Sequence, residues 1–367
     1  MSSPRIVMHV DLDYFFAQCE EQRRPDLKTK PVVVCVFSGR TSESGAVSTA
    51  NYGARSFGVR SGMPIFQAKR ILGNQDAVFL PVDKQYYQNV SDRIMAILRS
   101  YTDAFEQVGI DEAFVDVTIR LSRDFSKAIQ LAAQIKKEIH DQVGITCSVG
   151  IAPNKLVAKI ASDHSKPDGL TSVPPDSISD FLVPLEVRKI VGVGKKTEAT
   201  LHSAGIRTVG DLRHHSVEEL GERFGRSFGR YLYDAARGID DEPVAEREER
   251  EQISRIVTLK QNSRDPEEIL PEIDKLLDDV MGKAAADELS FRTVSVTAIM
   301  EDLSVHSRSQ TFDAPIGSAD PARKACRILL KNLLSETSKS IRRVGVRLST
   351  LVPPKGSGQS SLSEFVG

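Results

Sequence analysis

The sequence predicts an α+β protein of several domains. Apolar strands and amphipathic helices alternate in it. The two kinds of pattern occur in two separate stretches, and a Pro-rich step lies between those stretches. Residues 5 to 11 (RIVMHVD) and 32 to 36 (VVVCV) read as buried strands. Residues 86 to 99 set Tyr87, Val90, Ile94, Ile97 and Leu98 on one helical face. Residues 105 to 118 (FEQVGIDEAFVDVT) read as two strands around a tight turn at Gly109. The helical period returns at 128 to 143, with Ala128, Leu131, Ala132, Ile135 and Ile139. A strand at 145 to 151 and a helix at 154 to 163 follow. With 15 to 81 set aside as an insertion, the order is strand, helix, strand, strand, helix, strand, which is the split βαβ, ferredoxin-like arrangement.

Val173-Pro174-Pro175 marks a boundary, and the next region is helical. In it, Gly192 and Gly194 flank a turn from which a helix starts near Lys195 and Lys196. This is a helix-hairpin-helix pattern whose free N–H groups suit a phosphate. Residues 240 to 251 (DDEPVAEREERE) form an acidic run. A last α+β unit is expected after it, with strands at 253 to 260, 291 to 300 and 342 to 350 and helices at 267 to 285 and 321 to 336. The end, PPKGSGQSSLSEFVG, reads as a flexible tail.

Composition narrows the function classes. A chain of 367 residues, 40% hydrophobic and 27% charged, supports large cores without staples. There is no long apolar run for a membrane span and no secretory leader pattern. Cys19, Cys35, Cys147 and Cys326 are scattered, so neither a disulfide framework nor a zinc site is expected, and a reducing cytoplasmic setting fits. The net charge of −1 argues for no polyanion, but its distribution does. From 323 to 347 the chain carries Arg323, Lys324, Arg327, Lys331, Lys339, Arg342, Arg343 and Arg347 against the single acid Glu336. That suggests one basic face.

Three carboxylates stand where chemistry would need them. Asp11 ends the first strand, and Asp111 and Glu112 sit at the hairpin, on the neighbouring central strand of a split βαβ sheet. Oxygen-only ligation with an incomplete protein shell suits Mg²⁺, and two such ions can drive an in-line phosphoryl transfer. Asp and Glu also mark turns and strand ends, and spacing alone does not bring Asp11 to Asp111.

Six segments, in this order, resemble the motifs of the Y-family, translesion DNA polymerases. They are VDLDYFFAQCE (10 to 20), SGAVSTANYGARSFGVRSGMP (44 to 64), GIDEAFVDV (109 to 117), SVGIAPNKLVAKIASDHSKPDGL (148 to 170), GVGKKTEATL (192 to 201) and ISRIVTLKQNSR (253 to 264). The resemblance is closest to the archaeal members of the DNA polymerase IV type. It implies a right hand, with palm at 1–14 and 82–173, fingers at 15–81, thumb at 174–239, tether at 240–252, little finger at 253–350 and tail at 351–367. It implies that Asp11, Asp111 and Glu112, with the Leu12 carbonyl, hold two Mg²⁺ per active site, for which Mn²⁺ is expected to substitute. Asp13 matches a family carboxylate outside that set. By the same resemblance Thr49, Tyr52, Arg55 and Lys166 hold the dNTP triphosphate, and Phe16 is the steric gate against ribose. Gly192, Gly194, Lys195, Lys196, Arg342, Arg343 and Arg347 are expected to hold primer–template DNA. Gln359, Leu362 and Phe365 have the QxxLxxF spacing of a sliding-clamp peptide, and a monomer is expected. Two departures stand out: Gly109 where the family commonly has Ser, and an acidic tether where it is often basic. A template-free cyclase on the same palm and a non-catalytic DNA-binding scaffold are the alternatives.

Overall fold

The computed structural model describes residues 5–102, 104–246 and 251–353. It forms two compact units, Met1–Val36 with Ala46–Arg247, and Phe37–Gly45 with Glu248–Gly367.

The first unit begins with β1 (Val7–Leu12) and α1 (Phe15–Arg23). The insertion then supplies β2 (Val32–Phe37), β3 (Gly45–Ala50), α2 (Tyr52–Ser56), α3 (Ile65–Leu72) and β4 (Val78–Pro81), and these strands make a small sheet in the order β3-β2-β4. Next come α4 (Lys84–Ser100), β5 (Ala104–Gln107), β6 (Glu112–Asp116), α5 (Ala128–Val143), β7 (Cys147–Ala152), α6 (Lys155–Ser162) and β8 (Leu170–Ser172). The main sheet runs β5-β6-β1-β7-β8, so the four predicted strands take the ferredoxin order. The added edge strand, β8, is three residues long and too short to show a period.

Strand alternation divides β1 between two layers. Met8, Val10 and Leu12 enter a core with Tyr87, Ile94 and Leu98 of α4 and Ile135 and Ile139 of α5. Val7 packs on the opposite side with Phe114, Leu156 and Val157. His9 and Asp11 share that opposite side by period. The helix α6 lies close to the sheet there because β7 carries Gly150. A Cβ at that position would stand 2.0 Å from the carbonyl oxygen of Ala158.

After β8 the first unit is helical, with α7 (Ile178–Leu182), α8 (Lys195–Ser203), α9 (Val209–Leu212), α10 (Val217–Phe224) and α11 (Arg226–Ala236). The hairpin is entered from a short 3₁₀ turn, Val187–Lys189, and α8 starts at Lys195 as expected. Three acids of the acidic run are engaged. The Asp240 carboxylate accepts from the Leu156 N–H at the start of α6. Glu242 lies 3.3 Å from Lys155, and Glu246 pairs with Arg99. Lys155 is itself buried in an ion pair with Glu106 at 2.7 Å.

The second unit contains β9 (Gln252–Ser263), α12 (Pro266–Ala286), β10 (Ser290–Met300), β11 (Val305–Ile316), α13 (Ala319–Ser335) and β12 (Ile341–Val352). Its sheet runs β11-β10-β12-β9, antiparallel throughout. Both helices cover one face, where Val344, Val346 and Leu348 meet Leu277, Val280, Leu329 and Leu330. The strand β11 carries no apolar alternation, and the sequence reading missed it. It is an edge strand with polar residues along most of its length (VHSRSQTFDAPI), which blunts the edge but hides the strand from periodicity.

The expected single basic face is corrected by this layering. Arg323 and Arg327 of α13 pair with Asp274 of α12 in the helical layer. Arg343 and Arg347 alternate with buried Val344 and Val346 and so face the other side of the sheet.

Candidate active site

The antiparallel register sets Asp11 directly opposite Glu112, and the Leu12 N–H donates to the Asp111 carbonyl at 2.8 Å. Three acids a hundred residues apart in sequence are thus joined at one end of the sheet. The Leu12 side chain is an apolar part of the core and offers a cation no donor. Asp13 is also buried. Its carboxylate accepts from Thr146 Oγ1 (3.0 Å), Ser148 Oγ (2.8 Å) and the Asp168 N–H (2.8 Å), which ties the end of β1 to β7 and to the loop carrying Lys166.

The acids attract cations. Lys166 Nζ lies 2.7 Å from Asp11 Oδ1 and 2.6 Å from Asp163 Oδ1, and Lys159 pairs with Glu112. Burial pushes the Asp11 carboxyl up to about 6, against the pull of Lys166. Asp111 is also raised, by burial first and then by the Glu112 charge. Glu112 is held down at about 2, chiefly by a hydrogen bond from His9 and then, against burial, by Lys159. Burial lowers the pKa of His9 itself, which favours the neutral imidazole. Among the described residues no three His, Cys, Asp or Glu side chains close a cage around an ion. The donor set fits a divalent cation of the Mg²⁺ class all the same, because such ions are bound by one or two carboxylates and complete their shell with waters and substrate phosphate oxygens.

The insertion contributes the next residues. Asn51 caps α2 by accepting from the Ala54 N–H, and so fixes Tyr52 and Arg55 on the first turn. The Arg55 guanidinium lies 5.0 Å from the Tyr52 ring centroid, and Tyr14 meets that ring edge-on at 5.3 Å. Burial raises the Tyr52 phenol, and Asp13, Arg55, Lys166 and Asp11 all act on it electrostatically, so this group shares the acids' environment. Thr49 is half-buried on β3. Phe16, also half-buried, stacks on Tyr87 at 4.5 Å with the planes 16° apart. A Cβ at Gly109 would approach Asp111 Oδ1 to 3.3 Å, so a Ser at this position would touch the acid directly.

Further along the same unit, Gly192 adopts a φ of +84° in the hairpin, and no side chain caps α8. Gly194, Lys195 and Lys196 are exposed there, and Tyr231 braces the turn by donating to the Val191 carbonyl at 2.6 Å. A cleft of about 470 Å³ opens beside Glu112, lined among others by Lys155, Lys159, Val191 and Tyr231. The sequence reading missed His9, Lys159 and Ser162. The Lys155 and Lys159 pair, four apart on a helix, was the available signal.

In the second unit Arg343 and Arg347 sit on a face rich in hydroxyls. Thr293 faces Thr311 at 3.0 Å, Ser295 faces Ser309 at 2.8 Å, and Thr297 faces Ser307 at 3.1 Å. The Nε atoms of both arginines are buried without a partner. Arg342 is half-buried at the register shift that begins β12. Gln359, Leu362 and Phe365 lie outside the described residues.

A ferredoxin-like palm with carboxylates at one strand end, a helical hairpin and a second α+β unit define a right-hand polymerase. Family models match in the same order: the impB/mucB/samB family over residues 10–163, the DNA polymerase-iota thumb domain over 188–240 and the impB/mucB/samB C-terminal domain over 250–362. The chain is 49% identical to the DNA polymerase IV of Methanosarcina acetivorans, across 98% of this chain and 99% of that one. It is 46% identical to the DNA polymerase IV of Nitrosopumilus maritimus, across 96% and 97%. Among solved structures, the Y-family DNA polymerase chimera Dbh-Dpo4(243-245)-Dbh matches with a TM-score of 0.89 at 40% identity, across 95% of this chain and 99% of that one. An insertion ternary complex of Dbh DNA polymerase matches with a TM-score of 0.68 at 40% identity, over the same shares. The chain belongs to the Y family of DNA polymerases, in the DNA polymerase IV group. It is a DNA-directed DNA polymerase of the low-fidelity, translesion kind, and such enzymes depend on a divalent metal ion. Among the described residues no helix is long and apolar enough to cross a membrane.

Proposed function

We propose that Asp11, Asp111 and Glu112, with the Leu12 carbonyl, hold two Mg²⁺ ions and that nucleotide insertion takes place over them. The observation that carries this reading is the Asp11–Glu112 register pair with Asp111 in the adjoining turn. When bound, the ions polarise the primer 3′-hydroxyl and steady the leaving phosphate oxygen. The protein's own groups do the rest. Lys166 is held at the acids by Asp11 and Asp163, and it turns to triphosphate oxygens when a dNTP arrives. Arg55 offers a planar fork to the same oxygens, and Tyr52 and Thr49 complete the pocket. Phe16, backed by Tyr87, fills the space that a ribose 2′-hydroxyl would need.

We assign the right-hand domains as palm 1–14 and 82–173, fingers 15–81, thumb 174–239, tether 240–252 and little finger 253–350. Gly192, Gly194, Lys195 and Lys196 of the thumb grip phosphates of the primer–template duplex through uncapped N–H groups and charge. Arg342, Arg343 and Arg347 grip the duplex backbone from the little finger. Asp240, Glu242 and Glu246 of the tether are engaged by the start of α6, Lys155 and Arg99, which reduces the repulsion of these three acids toward DNA. The enzyme acts in the cytoplasm as a monomer, and its tail docks on a sliding clamp through Gln359, Leu362 and Phe365.

Primer extension with Mg²⁺ and all four dNTPs tests the site. Asp11→Asn keeps the shape and loses ligation, so extension should fall by at least ~10³-fold, about 4 kcal/mol of barrier. Extension near the wild-type rate refutes the assignment. Deleting 356 to 367 should leave clamp-free extension intact and abolish stimulation by the cognate clamp. Equal stimulation of both forms rules out the docking tail.

A further inference from the structure

His9 lies two residues before Asp11 on β1, faces the same side of the sheet, and is 0% exposed. Its ring packs on Phe114, its register partner, with centroids 4.6 Å apart. Nδ1 lies 2.7 Å from Ser162 Oγ, and Nε2 lies 3.3 Å from Glu112 Oε2. Lys159 Nζ also lies 3.4 Å from Nε2, but that ammonium donates to Glu112 Oε2, and an ionised carboxylate is an acceptor only, so we assign the Nε2 proton to the Glu112 contact, where the charge on the acceptor strengthens it. Nδ1 is then free to accept, and the Ser162 hydroxyl is placed to donate to it. The hydroxyl's other acceptor, the Lys159 carbonyl at 2.8 Å, also receives the Asp163 N–H and is not orphaned when the hydroxyl turns.

We propose that His9 is a positioning residue for Glu112, holding Oε2 so that the carboxylate keeps one orientation toward the catalytic cation; the proposal rests on Glu112 being a metal ligand. Lys159 reaches the same oxygen, but from a flexible four-carbon stem on α6. It neutralises charge and is free to turn to a phosphate. The imidazole is fixed by a strand backbone, by Phe114 and by Ser162, so it sets direction. Partners that orient a metal ligand in this way typically contribute about 10- to 100-fold in metal affinity.

The test separates the donor from the packing. Gln places an amide N–H near the position of Nε2. Asn places one near Nδ1, and Phe keeps only the bulk. The affinity of each variant for Mn²⁺ is measured by electron paramagnetic resonance without turnover, on a complex with a dideoxy-terminated primer–template and the matched dNTP. His9→Asn and His9→Phe should weaken Mn²⁺ binding about tenfold, and His9→Gln should stay within about threefold of wild type. In the parallel reaction, with an extendable primer, kcat should fall for Asn and Phe while the KM for dNTP holds. Duplex affinity and melting temperature report that each variant is folded, and Asn keeps the test open if Phe destabilises the strand. Wild-type Mn²⁺ affinity in the folded Asn or Phe variant overturns the proposal, and so does a Gln variant no better than Phe. Glu112→Ala is the control: if it binds Mn²⁺ as wild type does, the metal assignment itself fails. If Glu112→Ala is weakened while the His9 variants are not, only the role of His9 falls.

Discussion

The palm sheet and the sheet of the second unit are built from the same order of elements, strand-helix-strand-strand-helix-strand, yet they present opposite chemistry. In the palm the strands order as β5-β6-β1-β7, so the first and third strands of the motif are central. In the second unit the order is β11-β10-β12-β9, and the second and fourth are central. The first arrangement brings the end of β1 against the start of β6, which concentrates Asp11, Asp111 and Glu112 at one edge. The second puts β12 in the middle of the sheet, with Arg343 and Arg347 spread over a face of serines and threonines. The palm is covered on both faces, by α4 and α5 on one and α6 on the other, so its polar groups are desolvated and their pKa values are shifted. The second sheet carries both its helices on one face. Chemistry needs a few groups held tightly in a dry place, whereas grip on a polyanion needs charge spread over an area that water and salt still reach.

The two sheets should therefore fail differently. The largest effect is expected from Asp111→Ala in the palm. Single-turnover insertion should fall by at least ~10³-fold while duplex affinity, measured by titration, stays near wild type. A matching loss of DNA binding would mean that the palm acid also serves the grip and would blur the contrast. Phe16→Ala comes next. Ribonucleotide insertion should rise on the order of 10²-fold, about 3 kcal/mol of lost exclusion, with dNTP insertion changed far less. Unchanged rNTP/dNTP discrimination would count against a gate at this position. The Arg343→Ala, Arg347→Ala double variant should do the reverse of Asp111→Ala. The slope of log K against log salt should flatten by up to about 2, with no change in sequence preference and little in kcat at saturating DNA. Parallel salt lines for variant and wild type would take these arginines off the duplex. The smallest effect is expected from Ser309→Ala on the open face. It removes the Ser295–Ser309 hydroxyl contact and should cost about 0.5–1.5 kcal/mol of unit stability by denaturant titration, without touching insertion chemistry.

The sequence by itself determined the strands and helices of the palm motif and most of those of the second unit. Apolar runs marked β1 and β2, and a 3.6-residue apolar period marked α4 and α5, because a buried face must repeat with the geometry of its own backbone. The motifs likewise named Asp11, Asp111, Glu112, Phe16, Tyr52, Arg55 and Lys166. Where periodicity was absent, the reading failed: β11 is an edge strand with little core to face, and β8 is too short. Only the tertiary structure decided which elements became neighbours. It split the basic residues of 323 to 347 between a helical layer and an open sheet face, because the sheet lies between them. It turned Asp240, Glu242 and Glu246 of the acidic run into contacts for α6, Lys155 and Arg99. It also brought Lys159 and Ser162 to His9 and Glu112, through the close approach of α6 that Gly150 permits. Local patterning is written along the chain because each turn or pleat repeats within a few residues. Contacts such as His9 with Glu112 span a hundred residues, and they depend on strand order and register, which no window of sequence contains.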